Sequence, residues 1–127
     1  MNATAFFTVA ITVLALDAVW LTVRSDYHNN LFLSVQKSPL VARILPAIAI
    51  YLLIPTVLTL YAVQTARSVQ EALLKGAVIG AILYGFYDLT NYSTLTNWTL
   101  SMTVVDTLWG TTVCALGSAV GAYMILK

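Results

Sequence analysis

Residues 3–23 read ATAFFTVAITVLALDAVWLTV, an unbroken apolar run whose single charge is Asp17. A stretch of that length and character matches the ~20 residues that carry an α-helix across the hydrocarbon of a bilayer. It lacks a basic n-region, and Asp17, Trp20 and Arg24 stand where a cleavable signal would place small residues, so it reads as a retained span. Three more runs of the same kind follow at about 44–66, 72–94 and 100–126. Of the 127 residues 60% are apolar and 9% charged, where a globular domain carries about 25% charged residues. The expected fold is all-α, an integral membrane four-helix bundle forming one domain over residues 1–127, with its longest connection from Arg24 to Arg43.

Composition also narrows function. Net charge is +1 with six basic residues, neither a basic stripe nor a recognition motif is present, and nucleic acid is therefore not an expected partner. Cys114 is the one cysteine, so no internal disulfide forms. His28 is the one histidine, which argues against a zinc or haem centre, and no cofactor is expected. Three Asn-x-Ser/Thr sequons, at Asn2, Asn91 and Asn97, fall at or inside membrane boundaries and carry no weight as glycosylation sites.

Four crossings put both termini on one side, here called A, with the short connection around Arg67 and Lys75. Side B receives the long first connection and the tight turn from Thr94 to Thr99. Basic residues divide evenly, with Arg67, Lys75 and Lys127 on A and Arg24, Lys37 and Arg43 on B, so the rule that Lys and Arg mark the cytoplasmic side gives no orientation. Small numbers explain that balance; so would a chain that inserts both ways and pairs as an antiparallel homodimer. Gly76-x-x-x-Gly80 and Gly117-x-x-x-Gly121 permit close backbone approach, which predicts a tight hairpin of spans three and four. Pro46 opens span two harmlessly, whereas Pro55 lies mid-span and should kink it or free a carbonyl.

Acidic residues inside such runs are costly. An Asp at a helix centre costs about 2.5–3.5 kcal/mol on an insertion scale, so Asp17, Asp88 and Asp106 are functional candidates whose partners need naming. Counting from the span ends at 1.5 Å per residue places all three about 10 Å from side B, and Tyr51 at the same depth in span two. At 100° per residue, Ala77, Ala81, Tyr84, Asp88 and Asn91 share a stripe of span three. Asp17-x-x-Trp20 and Asp106-x-x-Trp109 each set a carboxylate and an indole on one face of spans one and four. The expected arrangement is a packed A half and a polar cavity open to B, lined by Asp17, Tyr51, Tyr84, Asp88, Asn91 and Asp106. Trp20 and Trp109 would be its walls and the first connection its lid. Three carboxyls in one low-dielectric layer cannot all ionise comfortably, so the layer is expected to bind a proton or a cation, with the indole faces attracting an organic cation. The plainer alternative is that each Asp accepts from a Trp, Tyr or Thr and only fixes helix register.

The runs Tyr87-Asp88-Leu89-Thr90-Asn91 and Val105-Asp106-x-x-Trp109-Gly110, with Leu16-Asp17-Ala18-Val19-Trp20 in span one, resemble an uncharacterised family of small four-span membrane proteins known as domain of unknown function 2177. The resemblance covers essentially the whole chain. It implies a mostly bacterial integral membrane protein, hence a plasma membrane location, and its motif residues coincide with Asp17, Trp20, Asp88, Asn91, Asp106 and Trp109. The expected activity is a proton- or cation-linked transporter or channel. A lipid-handling enzyme is disfavoured by the lack of a nucleophile–base pair or phosphate loop, and a purely structural subunit is the third reading.

Overall fold

The computed structural model describes residues 1–126, and Lys127, one of the basic residues assigned to side A, lies outside them. Five α-helices and no strand are present among the described residues: α1 (Ala3–Val23), α2 (Ser25–Gln36), α3 (Ile44–Leu58), α4 (Val69–Thr94) and α5 (Leu100–Leu126). A π-helical turn, Thr59–Val63, extends α3. With that extension, α1, α3, α4 and α5 are each long and apolar enough to span a membrane.

Local chemistry accounts for the boundaries. Asn2 caps α1 by accepting from the Ala5 amide at 2.9 Å, and Ser68 caps α4 by accepting from the Glu71 amide at 3.0 Å. The third span therefore starts at Val69, three residues before the position expected from hydropathy. Inside the spans, hydroxyls of Thr8, Thr12, Thr22 and Thr111 donate to the carbonyl four residues back, which satisfies them without a partner helix. Pro55 removes the amide that would have bonded the Tyr51 carbonyl. One turn later the helix widens, with the Gln64 amide donating to the Thr59 carbonyl at 2.9 Å, and the span ends at Val63 rather than Ala66.

The first connection is not a plain loop. Residues 25–36 form α2 because His28, Leu31, Phe32 and Val35 recur at helical spacing, and Lys37 ends it in the left-handed region at φ 62°. Leu31, Trp98 and Met102 make a small core there with Phe32 and Val35. Two hydrogen bonds fasten α2 to the α4–α5 turn: Tyr27 to Thr99 at 2.9 Å, and Asn97 Nδ2 donating to the Ser34 carbonyl at 2.9 Å.

The bundle is organised around α5, which packs on α1 and α4, while α1 also meets α3. Against α4, the contact is backbone to backbone. A Cβ on Gly76 would strike the Cys114 carbonyl and Ser118, one on Gly80 the Gly110 carbonyl, and one on Gly110 the Tyr84 ring. The second glycine pair behaves differently from expectation. Gly117 and Gly121 face α1, where a Cβ would lie 2.9 Å from Val13 and 2.7 Å from Val9, because the α5 face turned to α4 is Gly110, Cys114 and Ser118, a stripe of every fourth residue. The tight α4–α5 hairpin thus forms with one Gly-x-x-x-Gly motif, and the other seats α1. Val9, Val13, Leu58, Val63 and Val113 fill this half and are fully buried. Phe7, Ile11, Val78, Ile82, Phe86 and Leu108 are exposed, as residues against lipid should be.

Candidate functional site

The three aspartates gather at one level in the other half, yet their surroundings differ. Asp17, 7% exposed, has both oxygens occupied: Trp109 Nε1 donates to Oδ1 at 2.7 Å and the Tyr51 hydroxyl donates to Oδ2 at 2.9 Å. One carboxylate thereby ties α1, α3 and α5. The Trp20 and Trp109 rings stack with centroids 4.5 Å apart and planes 3° from parallel. The two Asp-x-x-Trp patterns are brought together on antiparallel helices, with Asp17 bonding the indole of the opposite helix rather than its own and Trp20 Nε1 left without a partner.

Asp88 is fully buried and neither of its oxygens has a hydrogen-bond partner. Asp106 and Thr107 of α5 are the polar side chains that act on it. Gly85, one turn before it, faces Thr107, whose methyl lies 3.7 Å from where a Cβ would stand. Asp106 is half-buried and lies in the wall of a cavity of about 460 Å³. This is the lower end of the ~300–1,000 Å³ usual for small-molecule sites.

The cavity exists because α3 and α4 part. At the A end α4 packs on the π-helical turn, but α3 itself meets α1 and α5 instead. The rim residues Ile50 on α3 and Leu83 on α4 are 51% and 37% exposed, so the wall is interrupted towards the surrounding bilayer. Leu21, Ile50, Ile54 and Leu83 make its aliphatic part, and Tyr51, Tyr84, Tyr87 and Phe32 its aromatic part. The expected polar cavity is therefore a mostly apolar one with Asp106 as its single carboxylate. Asp17 is closed off by Tyr51 and Trp109, Asp88 lies behind Asp106, and Trp20, Trp109 and Asn91 are not in the wall. Asn91 sits one turn beyond Tyr87 and interacts with it.

His28 was overlooked as a site residue because it stands in a polar connection. The structure brings it onto the cavity wall from α2, 7% exposed and within the influence of both Asp106 and Arg24. Its signal in the sequence is the helical spacing shared with Leu31, Phe32 and Val35. Burial lowers the pKa of its imidazole, Asp106 opposes that shift, and Arg24 adds to it. Arg24 lies over the Tyr27 ring at 4.3 Å and the Trp20 ring at 5.4 Å. Cys114 is buried in the α4–α5 contact and is a packing residue. Among the described residues, no three His, Cys, Asp or Glu side chains are placed to hold a metal ion.

Four helices of membrane-spanning length, with three aspartates among their apolar residues, define an integral membrane protein. The chain belongs to the family described as predicted membrane protein (DUF2177), whose model matches residues 2–123. No curated protein and no solved structure matches it.

Proposed function

We propose that this protein is a small carrier that takes an apolar, positively charged organic molecule from the bilayer, with Asp106 as counter-charge and Asp88 as the acid behind it. The carrying observation is the pair itself: one carboxyl in the wall of an apolar, aromatic cavity, and a second, fully buried, accepting no hydrogen bond. A buried carboxylate without a partner is strongly unfavourable, so this acid is completed by a proton or by an arriving cation. Exchange of one for the other is the coupling step. Tyr51, Tyr84 and Tyr87 supply ring faces that attract an organic cation. Asp17, with both oxygens satisfied, is a structural acid that fixes the position of Tyr51 and Trp109.

The protein would reside in a bacterial plasma membrane, with its first and last helices ending on the same side, and its even distribution of basic residues suits an antiparallel pair. Cysteine labelling of residues in the 64–68 and 95–99 turns from each side of intact vesicles tests the pairing, since a single orientation excludes it. A lipid-modifying enzyme has the gap between α3 and α4 in its favour, but no serine or cysteine lines the cavity to act as nucleophile.

The transport reading is tested with purified protein in liposomes, measuring tetraphenylphosphonium movement against an imposed pH gradient. Asp106→Asn and Asp88→Asn should abolish pH-driven flux while Asp17→Asn retains it in proportion to folded protein. Unchanged flux in both of the first two variants removes the reading.

A further inference from the structure

The layer that holds the acids also holds donors without acceptors. Nε and Nη2 of Arg24 and Nε1 of Trp20 are buried and unpartnered, as are both oxygens of Asp88. These groups are close in register. Val13 faces Gly117 and Val9 faces Gly121, and continuing that antiparallel pairing along α1 and α5 brings Arg24 level with Asp106. His28 responds to both of them, and Leu21 and His28, on either side of Arg24 in the chain, both line the cavity.

Opposite charges at one level would ordinarily pair. Here they do not, since the ion pair found among the described residues is Lys75 with Glu71 at the other end of the bundle. Stacking on Tyr27 and Trp20 holds the guanidinium on its own side. The result is an acid pole, with Asp106 in the cavity wall and Asp88 behind it, a donor pole of Arg24 and Trp20 beside the wall residues Leu21 and His28, and apolar surface between α3 and α4 leading out to lipid.

We infer that the occupant is a zwitterionic membrane amphiphile, its ammonium group at Asp106 and its phosphate at Arg24 and the Trp20 N–H, with its chains leaving past Ile50 and Leu83. The inference rests on the cation reading of Asp106 and adds the anionic half of the ligand. A guanidinium fork with free N–H groups is suited to phosphate, and an indole N–H is a donor only, so neither can be completed by the cationic part of a ligand. A cavity of about 460 Å³ takes a head group and the first part of its chains, the remainder staying in the bilayer.

The test is binding of three lipids with identical dioleoyl chains to the purified full chain, read by native mass spectrometry: phosphatidylethanolamine, phosphatidylglycerol and trimethylammonium-propane. Wild type should prefer the ethanolamine lipid over each of the others by about tenfold, the size of one charge-assisted contact. Arg24→Gln should erase its advantage over the cationic lipid, and Asp106→Asn its advantage over the glycerol lipid. Equal binding of all three by wild type overturns the inference without any variant. Equal binding of the ethanolamine and cationic lipids, both weakened by Asp106→Asn, overturns it while leaving the cation site standing. Soluble phosphoethanolamine that binds as tightly as the lipid overturns the bilayer as the ligand's source.

Discussion

Around Gly76 and Gly80 α4 and α5 touch backbone to backbone, whereas around Asp106 α3 stands away from α4 and tyrosine rings border a space. The contrast recurs on a smaller scale in the two Asp-x-x-Trp patterns. Asp17 lies where α1, α3 and α5 converge and is closed by two donors, while Asp106 lies where α3 has drawn away from α4 and faces the cavity. One residue type in one local pattern therefore has two environments, set by whether a third helix is close enough to supply a hydroxyl. Small side chains close one half, large ones prop the other open, and the site occupies the boundary.

The sharpest way to break this contrast is to prop open the closed half. Gly80→Val puts carbon into the Gly110 carbonyl, and overpacking of this kind costs about 1–3 kcal/mol or more. It should lower thermal stability in detergent more than any substitution on the cavity wall. A Gly80→Val protein as stable as wild type would mean that α4 and α5 are not in backbone contact.

A smaller effect separates the two acids. Asp17→Asn keeps an acceptor but loses the charge assistance of two bonds, for an expected loss of about 1–3 kcal/mol in unfolding stability. Asp106→Asn should leave stability unchanged or slightly raised, because it removes one of two neighbouring carboxyls and relieves their mutual repulsion. Equal destabilisation by the two would erase the distinction between them.

The smallest effect concerns α2. Burial lowers the His28 pKa, so the docked helix favours neutral imidazole and the undocked helix binds more protons between the lowered and ordinary values. Docking stability is complete above the ordinary imidazole range and is lost as the pH falls towards the lowered value. Amide protection across residues 27–35, relative to the intrinsic exchange rate at each pH, should fall on acidification through that range, and His28→Gln should flatten the response. Protection that rises on acidification would mean that Asp106 outweighs burial.

Much of this architecture was legible from the chain. Four apolar runs of spanning length dictate four helices, and counting from their ends places Asp17, Asp88 and Asp106 at one depth. Partner choice was not legible, because rotation about a helix axis is set by packing. Gly117 and Gly121 turn to α1 since Gly110, Cys114 and Ser118 already occupy the side facing α4. Nor does depth alone reveal that Tyr51 and Trp109 converge on Asp17 and leave Asp106 open. The first connection was expected to cover the cavity, but its helix α2 was not legible because a short amphipathic helix is masked by the polar residues around His28.

The difference between the acids is tested most directly by calorimetric binding of tetraphenylphosphonium to purified Asp17→Asn and Asp106→Asn proteins, each scaled to its folded fraction. Asp106→Asn should weaken binding by about tenfold or more, and Asp17→Asn should match wild type, consistent with one lost charge contact. Binding undiminished in Asp106→Asn, or lost equally in folded Asp17→Asn, would contradict an open acid set against a closed one.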